Sequence, residues 1–216
     1  MSPGERRAFV LAHSRLQAPP HTPELRLHLA DEVTPIWRMT EEELGALGLP
    51  PPFWAFAWAG GQAVARWLLD HPEEAVGRHV LDFATGSGLV AIAAMRAGAA
   101  SALGSDLDAF CAAAVALNAE ANAVEVAFTS VDLLQSEPPD VDLICAGDVW
   151  YEQPLARDVR GWLQLAHQRG TRVLVGDPGR TYFDPAGLVQ LAEYRVATTR
   201  ELEDAEVKRT GVWTFA

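Results

Sequence analysis

A short apolar segment that runs into two closely spaced glycines constrains the fold of this chain more than any other feature. Residues 80–83 have the composition of a buried strand, and Gly86 and Gly88 follow directly before an apolar helical segment. In a parallel α/β sheet, such a turn lies at the carboxyl end of the first strand, where ligands bind. Glycine lets a ligand approach the backbone because it carries no Cβ atom. The turn therefore predicts a ligand-binding α/β domain.

From residue 77 onward, strand-like and helix-like segments alternate, which is the pattern of a doubly wound parallel sheet with right-handed crossovers. Two closing strands joined by an acidic turn predict an antiparallel addition at one edge. The fold class predicted is therefore α/β, with a seven-stranded, mostly parallel sheet. Strands are predicted at 79–83, 101–105, 125–128, 141–146, 171–175, 194–202 and 207–215, and helices at 89–97, 108–121, 153–167 and 188–193.

The part of the chain before this pattern is less regular. A helix is predicted at 4–16, a short edge strand at 25–29 and one or two helical turns at 41–47. The run of three prolines at 50–52 stops the last of these, because proline cannot donate to a helix. We therefore divide the chain into an N-terminal extension, residues 1–50, that packs on the core, and a ligand-binding domain, residues 51–216.

Composition narrows the classes of partner. The net charge is −12, and an acidic surface repels phosphate backbones, so we expect no nucleic-acid partner. No run of 18 apolar residues suggests a membrane span. Cys111 and Cys145 have no other Cys or His near them at the spacing of metal ligands. We therefore predict that both are buried thiols in a reducing compartment. We expect a cytoplasmic monomer without a metal site.

Two carboxylates follow the next strands and define a candidate adenosine pocket. Asp106 lies 20 residues after Gly86, where a carboxylate accepts hydrogen bonds from both hydroxyls of a ribose. Asp132 follows the third strand and is placed to meet an adenine amine, with Leu107 and Leu133 on the two faces of the ring. This pattern predicts an adenosine-containing cofactor.

The glycine turn alone leaves two cofactors open. Its spacing Gly86-x-Gly88-x-x-Ala91 also fits the dinucleotide motif of nicotinamide-dependent oxidoreductases. Asp82 favours S-adenosylmethionine, because it can order the turn or reach a positively charged amino-acid group through water. The long segment before the turn favours it too, because dinucleotide folds usually start at their glycine turn.

Four blocks together resemble a known family: residues 52–63, the glycine turn, the stretch with Asp148-x-x-Tyr151, and residues 175–180. Their order resembles class I seven-strand S-adenosylmethionine-dependent methyltransferases, and more narrowly the electron transfer flavoprotein β-subunit lysine methyltransferase family. The likeness runs from about residue 21 to the C-terminus. One departure is Ala84, which stands where these enzymes usually carry a third glycine.

The resemblance implies a protein-lysine N-methyltransferase that acts on the electron transfer flavoprotein β-subunit. Asp148 would orient the acceptor amine, and Tyr151 would shape the same pocket. The implied substrate contacts are Trp54, Trp150, Asp177 and Arg180. The implied cofactor contacts are Trp58, Asp82, Thr85, Gly86, Gly88, Asp106, Leu107, Asp132, Leu133 and Asp148.

Structural explanations compete with several of these roles. Asp148 can cap the helix that starts near Gln153, and the aromatic residues can be core packing. Asp177 and Arg180 can simply build a turn. The acceptor can also be a small amine or heteroaromatic, and a binding protein without activity can retain such a pocket.

Overall fold

The computed structural model describes residues 1–31, 34, 36, 39, 41–46, 49–198 and 206–216. Helices are α1 Pro3–Ala12, α2 Glu41–Ala46, α3 Ala59–Asp70, α4 Leu89–Arg96, α5 Ala109–Ala121 and α6 Gln153–Gln168. Strands are β1 Arg15–Gln17, β2 Leu27–Leu29, β3 His79–Phe83, β4 Ser101–Ser105, β5 Ala127–Thr129, β6 Leu143–Gly147, β7 Arg172–Asp177, β8 Leu188–Ala197 and β9 Val207–Phe215. Short 3₁₀ turns lie at Phe53–Ala55, Pro72–Glu74 and Leu133–Gln135.

The main sheet has seven strands in the order β5-β4-β3-β6-β7-β9-β8. Strand β3 pairs in parallel with β4 on one side and with β6 on the other, so the strand order reverses at β3. Strand β9 runs antiparallel to both β7 and the edge strand β8. The predicted α/β class, parallel core and antiparallel addition at one edge are confirmed. The reversal at β3 opens a crevice at the carboxyl edge of the sheet.

Alternate side chains of the central strands enter two cores on opposite faces of the sheet. On one face, Val80 and Cys145 pack with the apolar sides of α3 and α4. On the other face, Leu81 and Ile144 pack against α6. Both faces are covered, which explains why these strands are almost wholly apolar.

The N-terminal extension packs on α5. Val10 of α1 shares a third apolar cluster with Phe110 and Leu117 of α5. Strand β2 pairs with β1 in a separate two-stranded sheet, and the amide of His28 donates to Asn118 Oδ1 at 2.6 Å. This packing carries the N-terminus to the carboxyl edge of the main sheet, where Met1 and Arg6 line the crevice.

Several predicted elements have the observed bounds. Strands β3 and β4 match the prediction at both ends. Helix α5 begins after Asp108, whose side chain caps it by accepting a hydrogen bond from the Phe110 amide at 2.8 Å. The two cysteines are buried and unbridged, and burial raises the pKa of each thiol.

Two predicted helices are corrected. Residues 188–193 are not helical: they begin strand β8, which pairs with β9 from Leu188 opposite Phe215 to Ala197 opposite Val207. The predicted first helix, residues 4–16, ends at Ala12, and β1 follows it. The predicted strand 194–202 is observed to Ala197, and its end at 199–202 lies outside the described residues, as does Leu47 of the predicted segment 41–47.

Helix α3 was not predicted, and it lies directly on the sheet. Its first turn contains Gly60 and Gly61, which face Gly147 of β6 and Gly176 of β7. A Cβ atom on Gly147 would lie 2.7 Å from the Gly61 nitrogen, closer than any real Cβ contact. Glycine on both sides therefore sets the distance between this helix and the sheet. Within the described chain, no helix is both long and apolar enough to span a membrane.

Candidate active site

A cavity of about 1030 Å³ lies at the carboxyl edge of the sheet, where the strand order reverses. Its walls come from the ends of β3, β4 and β6, from the segment before α3 and from the start of α1. This is the position that an α/β sheet offers to a ligand. We call this cavity the cleft.

The glycine turn after β3 forms the floor of the cleft. Gly86 and Gly88 have φ angles of +52° and +83°, which L-residues with side chains rarely adopt. A Cβ atom on Gly86 would lie 3.5 Å from the carbonyl oxygen of Phe53, within the space between the turn and the opposite wall. Ala84 has a φ of +53° and carries the strain that glycine would avoid.

Asp106, at the end of β4, is fixed by backbone donors. Its Oδ2 accepts from the Gly86 amide and its Oδ1 from the Asp108 amide, both at 3.0 Å. The carboxylate lines the cleft beside Leu107, which is 67% exposed. Among the described residues, Asp108 Oδ2 is buried without a hydrogen-bond partner, and burial raises the pKa of Asp108.

Asp132 and Leu133 line the neighbouring wall. Asp132 Oδ1 accepts from the Leu134 amide at 3.1 Å, which starts the 3₁₀ turn Leu133–Gln135. Leu133 and Leu134 both reach the cleft. The structure thus brings the predicted ribose, adenine and apolar contacts together at one end, which we call the adenosine end.

Asp82 lies under the glycine turn and is 2% exposed. Its Oδ2 accepts from the Thr85 hydroxyl at 2.5 Å and from the Ala91 amide at 3.0 Å. Burial raises the pKa of Asp82 to about 7, against the lowering effect of these two hydrogen bonds. Asp82 therefore orders the turn, and its charge is poised near neutral pH.

Asp148 lies at the other end of the cleft, directly after β6. Its φ is +58°, and its amide donates to the Gly176 carbonyl at 3.0 Å. Its Oδ2 accepts from the amides of Gly60 and Gly61, the latter at 3.2 Å. The side chain thus binds the N-terminus of α3 rather than capping α6, whose N-cap is Glu152.

Arg180 forms hydrogen bonds with the second carboxylate oxygen of Asp148. Its Nε and Nη2 donate to Asp148 Oδ1 at 3.0 and 2.6 Å. A carboxylate has about four lone-pair sites, and the two α3 amides and two Arg180 donors use all of them. The predicted orientation of an acceptor amine by Asp148 therefore requires that one of these donors leave. We call this part of the cleft the acceptor end.

The turn that carries Arg180 is built by Asp177. Its Oδ1 accepts from the amides of Gly179 and Arg180 at 2.6 and 2.8 Å. Asp177 is 2% exposed, and burial raises its pKa to about 6. Asp177, predicted as a substrate contact, is placed by the structure behind the cleft as a support for Arg180.

Aromatic side chains line the acceptor end. The guanidinium of Arg180 lies 5.8 Å from the centre of the Trp58 ring, and Trp58 Nε1 donates to the Phe53 carbonyl at 3.0 Å. Tyr151 is half-exposed, with its ring centre 5.8 Å from that of Phe53. Burial raises the pKa of Tyr151, as do the charges of Asp106 and Glu152, so its hydroxyl stays protonated.

Two predicted substrate contacts are core residues in the structure. Trp54 is 1% exposed and stacks on Phe110 in the cluster that joins the N-terminal extension to α5. Trp150 is 3% exposed and packs edge-on against Phe183. Neither side chain lines the cleft, whereas Phe53 and Tyr151, one residue away from each in the sequence, do.

The sequence interpretation missed some cleft residues: Met1, Arg6, Phe53 and Leu134. Phe53 lies within the block 52–63, and its place in that block was the sequence feature that could have identified it. Arg6 offered no local signal, because the packing of α1 on α5 brings it there. No cluster of three or more potential metal ligands occurs within the described ranges.

The adenosine end fits an adenosyl group. A fixed carboxylate, an exposed leucine and the turn at Gly86, which has no Cβ atom on the side facing Phe53, surround one space. Asp106 keeps both oxygens oriented by backbone donors and still faces the cleft. The structure thus provides the acceptors and the apolar faces that an adenosine needs.

Comparison with solved structures shows which fold the chain has. The magnesium protoporphyrin IX methyltransferase of Synechocystis PCC 6803, solved with bound SAM, has a TM-score of 0.56 at 16% identity, covering 87% of this chain and all of that one. The ribosomal protein L11 methylase of Lactobacillus delbrueckii has a TM-score of 0.51 at 20% identity, covering 74% and 80%. The family model for ribosomal protein L11 methyltransferase (PrmA) matches residues 66–147. The chain has the Rossmann-like methyltransferase fold.

Sequence relatives define the family within this class. The electron transfer flavoprotein beta subunit lysine methyltransferase of Xenopus laevis is 36% identical over 97% of this chain and 86% of its own length. The human protein of that name is 34% identical, over 90% of this chain and 75% of its own length. This chain belongs to the electron transfer flavoprotein beta subunit lysine methyltransferase family. That membership sets aside the dinucleotide-binding alternative.

Proposed function

We propose that this protein transfers a methyl group from S-adenosylmethionine to a lysine amine of the electron transfer flavoprotein β-subunit. The observation that carries the proposal is a single cleft with an adenosine end at Asp106 and an aromatic acceptor end at Tyr151 and Trp58. The relatives supply the substrate, since their names state it.

The residues of the adenosine end would hold the cofactor. Asp106 would accept from the ribose hydroxyls, and Leu107 and Leu133 would cover the faces of the adenine. When bound, S-adenosylmethionine supplies a methyl group on a positively charged sulfur, which a neutral amine can attack without a metal. Gly86 and Gly88 give the backbone the close approach that this position requires.

The acceptor end would hold the lysine side chain. The aromatic faces of Trp58 and Tyr151 pack on its methylene groups and exclude water. A lysine amine must lose its proton before it can attack, and an apolar channel favours the neutral form. Tyr151 is a hydrogen-bonding neighbour and not a base, because its hydroxyl stays protonated. The proton therefore leaves to solvent before the amine reaches the methyl group.

The proposal is tested by incubating the purified protein with isotopically labelled S-adenosylmethionine and the purified β-subunit. We expect label on lysine, located by mass spectrometry of peptides. The Asp106→Ala variant is the matched control, and it should lose labelling at low cofactor concentration. Absence of label on any lysine, with a small-amine acceptor labelled instead, would contradict the protein substrate and retain the cofactor.

We propose further that the protein acts as a monomer in the cytoplasm. Two buried reduced thiols, Cys111 and Cys145, support a reducing compartment. Sedimentation of the purified protein with and without the β-subunit would test the oligomeric state.

A further inference from the structure

The acceptor end carries an ion pair at the place where an amine must arrive. Asp148 and the guanidinium of Arg180 face the cleft together, and their closest atoms are 2.6 Å apart. Their side chains are 8% and 21% exposed, so water screens the pair only in part. Whether Asp148 is paired with Arg180 therefore affects the protonation of any amine beside it.

The Asp148 carboxylate is compensated from two sides. Its Oδ2 accepts the first amides of α3, a helix of twelve residues whose N-terminus carries a partial positive charge. Its Oδ1 accepts hydrogen bonds from Nε and Nη2 of Arg180. One negative charge thus faces a full positive charge and a helix N-terminus.

The surrounding groups are mostly acidic. Asp177 lies behind the Arg180 turn, and Asp82 lies under the glycine turn. The other charged or titratable side chains that line the described cleft are Asp106, Asp108, Asp132, Tyr151 and Arg6. Apart from Arg180, the groups near the acceptor end would favour a cation.

A bare carboxylate would work against the chemistry proposed above. An opposite charge within about 4–6 Å shifts a titration by roughly 1–3 pKa units in favour of the charged form. Beside an unpaired Asp148, a lysine would thus be held as an ammonium, which has no lone pair for the methyl group.

We propose that Arg180 is a positioning residue that neutralises Asp148, so that the acceptor lysine meets the methyl donor as a neutral amine and not as a bound ammonium. The inference rests on the proposed lysine methylation. Arg180 suits this role because a guanidinium stays protonated at every working pH. Asp177 fixes its backbone, and Trp58 covers one face of the guanidinium.

The test is the pH dependence of the single-turnover methylation rate on the β-subunit, because this rate reports groups in the enzyme–substrate complex. For Arg180→Gln we expect a midpoint at least about one pH unit above that of the wild type. The variant should be roughly tenfold slower at neutral pH and approach the wild-type rate at high pH. Arg180→Lys keeps the charge and should keep the midpoint.

Arg169→Gln is the matched control. Arg169 is an exposed arginine that pairs with Glu137 and does not line the cleft, so its loss should leave the profile unchanged. A rate loss in Arg180→Gln that is equal at every pH would overturn the inference and indicate a purely structural role. A faster Arg180→Gln enzyme would also overturn it, because Arg180 would then be a plug that the lysine must displace.

A binding measurement separates this inference from the proposed function. Calorimetry with n-butylammonium as the probe, in the presence of S-adenosylhomocysteine, needs no methyl transfer. Arg180→Gln should bind this cation at least about tenfold more tightly than the wild type, because the unpaired Asp148 attracts it. Equal affinity would overturn the inference even if lysine methylation is found, and tighter binding would support it even if the β-subunit is not the substrate.

Discussion

At the scale of single residues, the cleft depends on one carboxylate held by two backbone amides. Replacing Asp106 with Ala removes the predicted ribose acceptor, and a hydrogen bond to a charged group contributes about 1.5–3 kcal/mol. We therefore expect the Kd for S-adenosylhomocysteine, measured by calorimetry, to rise by tenfold or more in this variant. Asp158→Asn, at an exposed pair with Arg157, is the control. An unchanged Kd in Asp106→Ala would show that the adenosine lies elsewhere.

Ala84 supplies a second test at this scale. Its φ of +53° costs a residue with a Cβ atom about 1–2 kcal/mol. Replacement with glycine removes this strain, but glycine loses more conformational entropy on folding, which offsets part of the gain. Ala84→Gly should thus stabilise the protein by about 1 kcal/mol, a rise of about 2–4 °C in Tm. Ala123, in an exposed turn with the same φ, is the matched control, and Ala123→Gly should give a similar gain.

These two alanines also separate strain from function. If Ala84→Gly changes affinity for S-adenosylhomocysteine while Ala123→Gly does not, the turn itself contacts the cofactor. A lower Tm for Ala84→Gly would mean that the methyl group makes contacts worth more than the strain, and would refute the prediction.

The sequence located residues whose position follows from their place after a strand, but not residues whose position depends on how the side chain is oriented. Asp106 and Asp132 were located because strand ends in a parallel sheet meet at one edge. Trp54 and Trp150 were assigned to the cleft, but they are core residues. Their orientation depends on how 3₁₀ turn and loop backbones are held by α5 and by Phe183, and neither partner is near in sequence.

At the scale of secondary-structure elements, the contact between α3 and the sheet sets the geometry of the acceptor end. A Cβ atom on Gly60 would lie 2.6 Å from Asp148 Oδ2 and 2.8 Å from the Asp148 nitrogen. Gly60→Ala should therefore destabilise the protein by about 1–3 kcal/mol, since overpacking displaces backbone. Urea unfolding measures this change.

Gly161 is the matched control for Gly60. It lies in the exposed part of α6, where an added Cβ atom has no neighbour within 4 Å. Gly161→Ala should stabilise the protein by up to about 1 kcal/mol, because alanine favours the helix. Equal effects of the two substitutions would contradict the close packing of α3 on the sheet.

Secondary-structure elements were predicted correctly where a local sequence pattern determines them, and wrongly where pairing with a distant strand determines them. Strands β3 and β4 are short apolar runs bounded by glycine or a capping aspartate, so their limits were readable. Residues 188–193 carry a mixed apolar and polar pattern that suits a helix, yet their pairing with β9 makes them a strand with a bulge between Gln190 and Ala192. Helix α3 was missed because glycines at its start resemble a loop.

At the scale of the whole molecule, burial at the cleft couples stability to pH. The pKa of Asp82 is about 7 and that of Asp177 about 6, both raised by burial from an ordinary value of 3.8. The folded chain thus binds more protons than the unfolded chain between about pH 4 and 7. The contribution of these two carboxylates to the free energy of unfolding therefore falls as pH rises. The histidines act oppositely: burial lowers the pKa of His13, His21 and His28, so their contribution to stability rises with pH.

Comparing each variant with the wild type removes the histidine contribution, which both proteins share. Asp82→Asn keeps an acceptor for the Thr85 hydroxyl and the Ala91 amide but does not titrate. Between pH 5 and 7.5, the free energy of unfolding of the wild type should fall relative to this variant by on the order of 1–3 kcal/mol. Urea unfolding at the two pH values measures the change, and Asp158→Asn is the surface control. A difference between wild type and Asp82→Asn that stays constant across this range would mean that Asp82 is already ionised at pH 5. The cleft would then hold a fixed negative charge under the glycine turn.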